Sequence, residues 1–213
     1  MATSIIIPVH NQEKYIGRAI RSAIANKKHS DIEIVVVNDS STDHTSEILE
    51  DFSKYIVLLK NDENMGLPYS LNKGIKKASS KYVFRLDSDD YIHNKTISTL
   101  ETILDMNNNI DAIAVDYILV DDRQNTMIHI NSEKEPIGCG IIFRKEHLIE
   151  IGLYDEAMRW HEDKELIMRF KKQFKIFHLP VPFYRYHIHG NNMTLDKDNY
   201  DKYLSILKER DLN

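Results

Sequence analysis

The 213-residue chain predicts an α/β fold in which helices flank a central, mostly parallel mixed sheet. Three observations lead there. The short β-branched runs at 4–9 and 32–37 are almost wholly apolar, as strands buried on both faces are. Apolar stripes at three- and four-residue spacing follow them, which is the mark of a helix with one buried face. The alternation continues over residues 1–90, which implies right-handed crossovers between parallel strands.

The first strand (4–9, SIIIPV) leads into a helix that buries Ile16, Ala19, Ile20, Ala23 and Ile24 and fades at Asn26-Lys27-Lys28. A second strand at 32–37 ends in Asn38-Asp39-Ser40-Ser41-Thr42-Asp43. The next helix turns Ile48, Leu49 and Phe52 inward, with Thr42 or Asp43 as its cap and Glu47 in its first turns. A third strand at 56–59 and the loop Asn64-Met65-Gly66 precede a helix carrying Leu67, Leu71, Ile75 and Ala78. A fourth strand, 82–86, stops at Asp87.

The second half is less regular. It reads as a helix at 95–106, a strand at 111–120, a hairpin or loop at 121–135 and a strand at 138–144. A helix at 162–172, short strands at 175–179 and 183–187, and a helical tail at 200–209 follow. Without an internal repeat or a Gly/Ser/Pro-rich linker, the chain reads as one domain over 1–213.

Composition removes several function classes. A net charge of −5, a pI near 6.1 and no dominant Lys/Arg block argue against nucleic-acid binding. The lone Cys139 cannot form an internal disulfide, which fits a reducing compartment. The apolar runs fall far short of the ~18 residues needed to cross a bilayer, and the first lacks a signal-peptide core and cleavage site. The expected location is cytoplasmic. The basic stretch RFKKQFK (169–175) reads either as an exposed helix face or as a peripheral contact with an anionic membrane surface.

In open α/β sheets, ligands lie beyond the carboxyl ends of the strands. The residues at those ends are His10-Asn11, Asn38-Asp39 and Asp87-Ser88-Asp89-Asp90. Asp87, Asp89 and Asp90 put three carboxylates into four residues, able to converge on one hard cation while leaving positions open for phosphate oxygens. The alternative is a solvated acidic turn, since Asp196-Lys197-Asp198 repeats the spacing elsewhere. Neither G-x-G-x-x-G nor G-x-x-x-x-G-K-[ST] is present, so no glycine cradle is available for phosphates. A divalent cation would have to neutralise them instead.

The segments SIIIPVHNQEKYIGRAIRSAI, IEIVVVNDSSTDHT and NMGLPYSLNKGIKKASSKYVFRLDSDD occur in an order that resembles family 2 glycosyltransferases of the GT-A fold. CGIIFRKEHLIEIGLYDE, His161-Glu162-Asp163 and YRYHIHG extend the likeness, so that it covers roughly residues 3–190. GT-A is a Rossmann-like nucleotide-diphospho-sugar transferase fold. The resemblance implies inverting, metal-dependent transfer of a sugar from a nucleotide diphosphate, expected to be a UDP-sugar. The acceptor would be a hydroxyl of a saccharide or lipid-linked saccharide, in bacterial-type surface glycan or polysaccharide synthesis. It further implies a nucleotide-sugar-binding half at 1–90, an acceptor-binding and catalytic half at 91–195 and a C-terminal tail at 196–213.

By the same resemblance, Pro8, Val9, His10 and Asn11 wrap the nucleoside, and Asp39 hydrogen-bonds uracil. Asn64 and Gly66 lie near base and ribose, followed by Asn72 and Lys73 on the next helix. Asp87 and Ser88 face ribose or sugar. Asp89 is the principal ligand of Mn²⁺ or Mg²⁺, with His187 as a further metal or diphosphate ligand, and Asp163 is the general base. Two departures stand out. His10 occupies a position where the family often has Tyr. The His motif ends His189-Gly190-Asn191-Asn192-Met193-Thr194, which leaves His187 and His189 competing for one role.

The chemistry is coherent. A bound cation stabilises charge developing on the leaving diphosphate, and a base takes the acceptor proton. Asp163 and Glu162 also read as helix-start carboxylates that favour the dipole; in the catalytic reading Glu162 supports the base or binds acceptor hydroxyls. Arg185 and Arg144 are candidate bidentate partners for the diphosphate. Trp160 could stack on the acceptor or pack in the core, and Asp39 could be a turn residue. Two other functions compete. A sugar-phosphate nucleotidyltransferase would want a Gly-rich, Arg- or Lys-bearing loop where this chain has PVHNQEK, and a non-catalytic binding module would need no base.

Overall fold

Strand β1 (Thr3–Val9) pairs in parallel with β2 (Ile32–Asn38) on one side and β4 (Tyr82–Arg85) on the other. Strand β3 (Val57–Lys60) adds to β2, again in parallel. The computed structural model describes residues 1–190 and 197–211. Within them nine strands form one sheet in the order β3-β2-β1-β4-β8-β6-β9-β5, with β7 paired to β6.

All seven residues of β1 are buried because helices cover both faces. Its alternating side chains feed two cores. Ile5, Ile7 and Val9 meet α1 (Ile16–Asn26), α2 (Thr45–Asp51) and α4 (Thr96–Met106) through Ile20, Leu49 and Leu100. Ile6 meets α3 (Leu67–Lys77), α5 (Lys145–Glu150) and α6 (Glu162–Lys171) through Leu71, Leu148 and Phe170. An apolar run with no polar alternation is what this two-sided burial requires. The Asp43 carboxylate accepts the Thr45 N–H at the start of α2, while Thr42 donates its N–H to Asn11 Oδ1.

The parallel expectation describes β1 to β4, but beyond β4 the sheet turns mixed. Strand β8 (Ile141–Arg144) lies antiparallel to both β4 and β6 (Ala112–Val120). Strand β9 (Ile176–His187) runs parallel to β6, and the two-residue β5 (Tyr91–Ile92) pairs antiparallel with it. The two strands expected at 175–179 and 183–187 are therefore one. Pro180 and Pro182 suggest a break because neither can donate to a ladder, but the structure absorbs them as register shifts opposite Val115, Asp116 and Tyr117. Residues 121–135 contain β7 (Thr126–Ile130), hairpinned onto β6. The short β5 and α5 have too few residues for a legible periodicity. The tail is helix α7 (Lys197–Asp211). Asn191 to Thr194 of the His motif's ending, and Asp196 of the repeated acidic spacing, lie outside the described residues.

No helix among the described residues is long and apolar enough to cross a membrane. Within the 169–175 stretch the Arg169 guanidinium is held by Glu165 and by the Ile151 and Leu153 carbonyls, and Phe170 and Phe174 pack inward. Lys171, Lys172 and Lys175 face water.

Helix α3 lies close against the sheet at Gly74, where an added Cβ would sit 2.6 Å from Ile6 Cγ2 and 3.2 Å from Val37 Cγ2. Alanine is the better helix former by ~1 kcal/mol, yet Gly74→Ala should destabilise the protein by roughly 1–3 kcal/mol through overpacking. Urea denaturation tests this; equal or higher stability would show that α3 can lift off the sheet at no cost.

Candidate active site

The carboxyl ends of β1, β2 and β4 open onto a cleft of about 960 Å³ whose opposite wall comes from the segments at 135–139 and 159–164. Of the expected residues, Pro8, Val9, His10, Asn11, Asp39, Asn64, Gly66, Asp87, Ser88, Asp89, Trp160, Glu162 and Asp163 line it. Asn72, Lys73, Arg185 and His187 do not.

The loops after β1 and β2 are stitched together. His10 Nδ1 donates to the Asp39 carbonyl at 2.8 Å, and the Asn11 N–H donates to Ser41 Oγ at 3.0 Å. The Asp39 side chain, 4% exposed, accepts from Asn61 Nδ2 at 2.7 Å, from the Met65 N–H at 2.9 Å and from the Gly66 N–H at 2.8 Å. One carboxylate therefore holds the whole turn that enters α3. Gly66, at φ 93°, occupies backbone space that other residues enter only with strain.

The three aspartates after β4 go separate ways. Both Asp87 oxygens are gripped by the Arg85 guanidinium, Nε at 2.7 Å and Nη2 at 3.1 Å. Asp89 Oδ2 lies 2.9 Å from His189 Nε2, and the Asp89 carbonyl accepts from Arg18. Asp90 turns into the protein, where its oxygens accept the Tyr184 hydroxyl at 2.7 Å and the His187 N–H at 2.8 Å. Burial, reinforced by the Asp89 and Asp87 charges, pushes the Asp90 carboxyl well above its ordinary range. Ligand atoms of Asp87, Asp90 and Cys139 lie within 4.8 Å of one another. Asp87 and Asp90 are nevertheless committed to other donors, and burial raises the Cys139 thiol well above its usual value. That set suits a cation poorly. Asp89 and His189 fit better: a carboxylate oxygen suits Mn²⁺ or Mg²⁺, and an adjacent imidazole is a ligand for transition metals.

Of the two histidines it is His189 that lies against Asp89, although neither imidazole is among the residues lining the cleft. His187 is fully buried; its Nε2 lies 3.0 Å from Asp122 Oδ1 and its ring meets Tyr15 edge-on at 4.7 Å. The expectations for four other residues also change. Asn72 is a strut, donating to the Tyr154 carbonyl and Glu156 and accepting the Tyr154 N–H beside a separate cavity of about 580 Å³. Lys73 donates to the Lys60 carbonyl and Asn61 Oδ1. Arg185 is turned onto the Pro182 and Tyr184 carbonyls, and Arg144 onto those of Leu104, Asn107 and Ile110 at the end of α4, so neither reaches the cleft.

On the far wall, α6 begins with Glu162 and Asp163 after His161, which is held at φ 57°. Glu162 Oε1 accepts Arg85 Nη1 at 3.0 Å, and Asp163 Oδ1 accepts the Lys164 N–H at 2.7 Å. Gly138 lies directly against them. A Cβ there would sit 2.3 Å from Asp163 Cβ and 2.8 Å from Arg85 Nη1. Trp160 stacks on Tyr203 of α7 at 5.6 Å, so one indole face is already covered, and Tyr200 joins the cleft lining beside His161. Sequence reasoning missed Arg85, Gly138 and Asn61. A charge inside the apolar run YVFRL was a visible signal for Arg85; the other two carried none.

A family model described as glycosyl transferase family 2 matches residues 4–181. An uncharacterised glycosyltransferase of Rickettsia prowazekii (strain Madrid E) is 32% identical over 192 residues, covering 82% of this chain and 60% of its own length. One from Haemophilus influenzae is 37% identical over 142 residues, covering 65% of this chain and 39% of its own length. The chain thus spans less than two thirds of the length of each of these relatives. Among solved structures, Staphylococcus aureus TarS 1–349 in complex with UDP-GlcNAc superposes with a TM-score of 0.82 at 23% identity, over 100% of this chain and 67% of that one. The Pyrobaculum calidifontis mannosyltransferase PcManGT, in complex with GDP-Man and Mn²⁺, gives 0.77 at 15% identity, over 99% and 64%. The fold is GT-A.

Burial pushes the Glu162 carboxyl up to about 7, although Arg85 pulls it down. In the unfolded chain it titrates near 4.5, so between those values the folded state binds the extra proton and stability should fall as pH rises, levelling above about 7. Denaturation at a series of pH values should show this slope reduced in Glu162→Gln; parallel profiles would mean that Glu162 ionises normally.

Proposed function

This chain belongs to glycosyl transferase family 2, and on that premise we propose that it transfers a sugar from a nucleoside diphosphate to an acceptor hydroxyl with inversion. The observation that carries the reading is one cleft lined both by the strand-end acids Asp39 and Asp89 and by Asp163 from the opposite wall.

Asp39 engages three hydrogen bonds of about four that a carboxylate accepts, which leaves a site for the imide N–H of uracil. A UDP-sugar is therefore the proposed donor. TarS, the structural neighbour bound to UDP-GlcNAc, supports the choice. Pro8, Val9, His10, Asn11, Asn64 and Gly66 surround the nucleoside, and Asp87 and Ser88 accept from or donate to ribose or sugar hydroxyls. Asp89 and His189 would hold Mn²⁺ or Mg²⁺, which supplies positive charge against the departing diphosphate.

Asp163 is the base: it orients the acceptor hydroxyl and takes its proton as the oxygen attacks the anomeric carbon from the side opposite the diphosphate. Glu162, buried behind it, keeps the first turn of α6 in place. The acceptor, a saccharide or lipid-linked saccharide of a surface glycan or polysaccharide, enters past Trp160 and Tyr200. On this reading residues 1–90 bind the donor and 91–195 the acceptor, the catalysis being cytoplasmic, with peripheral membrane contact where the acceptor is lipid-linked.

Incubation with UDP-sugars, Mn²⁺ and candidate acceptors should release nucleoside diphosphate and form a glycoside; pyrophosphate release would instead identify a nucleotidyltransferase. Asp163→Asn should lower turnover ~10²–10⁴-fold with donor affinity retained. Asp89→Ala should abolish the metal-dependent part of donor binding by calorimetry. Wild-type turnover in Asp163→Asn would remove it as base.

A further inference from the structure

We propose that Arg85 is a positioning residue for the transfer reaction, a strut that ties the donor-facing Asp87 to the Glu162–Asp163 segment and so fixes the base against the donor. The inference rests on the glycosyl-transfer reading above.

Arg85 ends β4, a strand otherwise made of Tyr82, Val83 and Phe84, and is only 7% exposed. Burying a guanidinium is costly unless its charge and N–H groups are matched. Here they are matched by carboxylates from two distant parts of the chain. Nε and Nη2 fork onto the two Asp87 oxygens, and Nη1 reaches Glu162 Oε1, 77 residues away in sequence. The planar group spans both acids at once, which a lysine ammonium on a shorter reach cannot do. The charges of Asp87 and Glu162 hold Arg85 ionised although burial opposes it.

The strut also has a fixed seat. Gly138 packs against Arg85 Nη1 and Asp163 Cβ at distances that exclude even a methyl group. Arg85, Gly138 and Asp163 therefore form one contact. A shift of the guanidinium moves the carboxylate that faces the sugar, the backbone at 138 and the base together. With both Asp87 oxygens occupied by Arg85, that carboxylate is held in one orientation and offers its remaining lone pairs to donor hydroxyls. The repulsion between Asp87 and Glu162, two acids facing one cleft, is cancelled by the cation between them.

Arg85→Lys, Arg85→Gln, Glu162→Gln and the double variant Arg85→Gln/Glu162→Gln test the assignment. Each is measured for kcat and KM with UDP-sugar and Mn²⁺, for UDP affinity by calorimetry and for thermal stability. Arg85→Lys should lower the melting temperature, because one buried acid loses its partner, yet stay folded at the assay temperature and bind UDP within a few-fold of wild type while kcat falls about 10²-fold, the scale of a ~1 Å misplacement of reacting groups. The double variant should lose no more kcat than Arg85→Gln alone, because the two residues act as a unit. Wild-type kcat in Arg85→Lys, or losses that multiply in the double variant, would overturn the strut. So would a fall in kcat that only tracks unfolding. If the wild-type chain releases no nucleoside diphosphate from any donor, the reaction reading fails and the assignment falls with it; turnover in wild type with multiplying losses overturns the assignment alone.

Discussion

A strand covered on both faces can carry polar chemistry only where it ends, and that constraint organises this molecule. Every residue of β1 is buried, and β2 and β4 are nearly as enclosed. Their backbones satisfy one another through the parallel ladder, so unpaired polar groups collect at the carboxyl edge. The His10–Asn11 turn and the loop at Asp39 emerge at that edge and are fixed to each other by cross-loop hydrogen bonds, while the Asp87–Asp90 segment beside them is held by Arg85, Arg18 and Tyr184. The second half supplies a wall against it. It is tied on by β8, which pairs with β4, and by Arg85, which reaches from β4 to α6.

The four parallel strands and their helices were legible because each has a long apolar run or a clear periodic stripe, and local pattern and tertiary burial agree there. The second half was less legible because its decisive features are long-range. Whether β8 joins β4 parallel or antiparallel is decided by a chain reversal that leaves no local pattern. The ladder of β9 continues past Pro180 and Pro182 because β6 shifts register to meet it, something only the partner strand reveals.

The site shows the same division. Residue types at strand ends identified one wall of the cleft, since position along the strand decides which residues reach it. Spacing alone could not say where three adjacent aspartates point. Convergence on a single cation was one of two readings of the spacing, whereas Asp87, Asp89 and Asp90 each have a different partner: Arg85, His189, and Tyr184 with the His187 N–H. Nor could alternation separate His187 from His189, which share a side of an extended segment; their carboxylate neighbours separate them, Asp122 for His187 and Asp89 for His189. Asn72 and Lys73 occupy helical positions that face a neighbouring segment, so a resemblance carried over one residue at a time misplaced them.

The grip of Asp39 on the Met65 and Gly66 amides bears on kinetics as well as geometry. A rim segment held by these bonds has little conformational freedom left to surrender to the nucleotide proposed to bind there. On the proposed reading, capture then needs no search through loop conformers, and the encounter rate would be governed by diffusion and by the orientation of the incoming base.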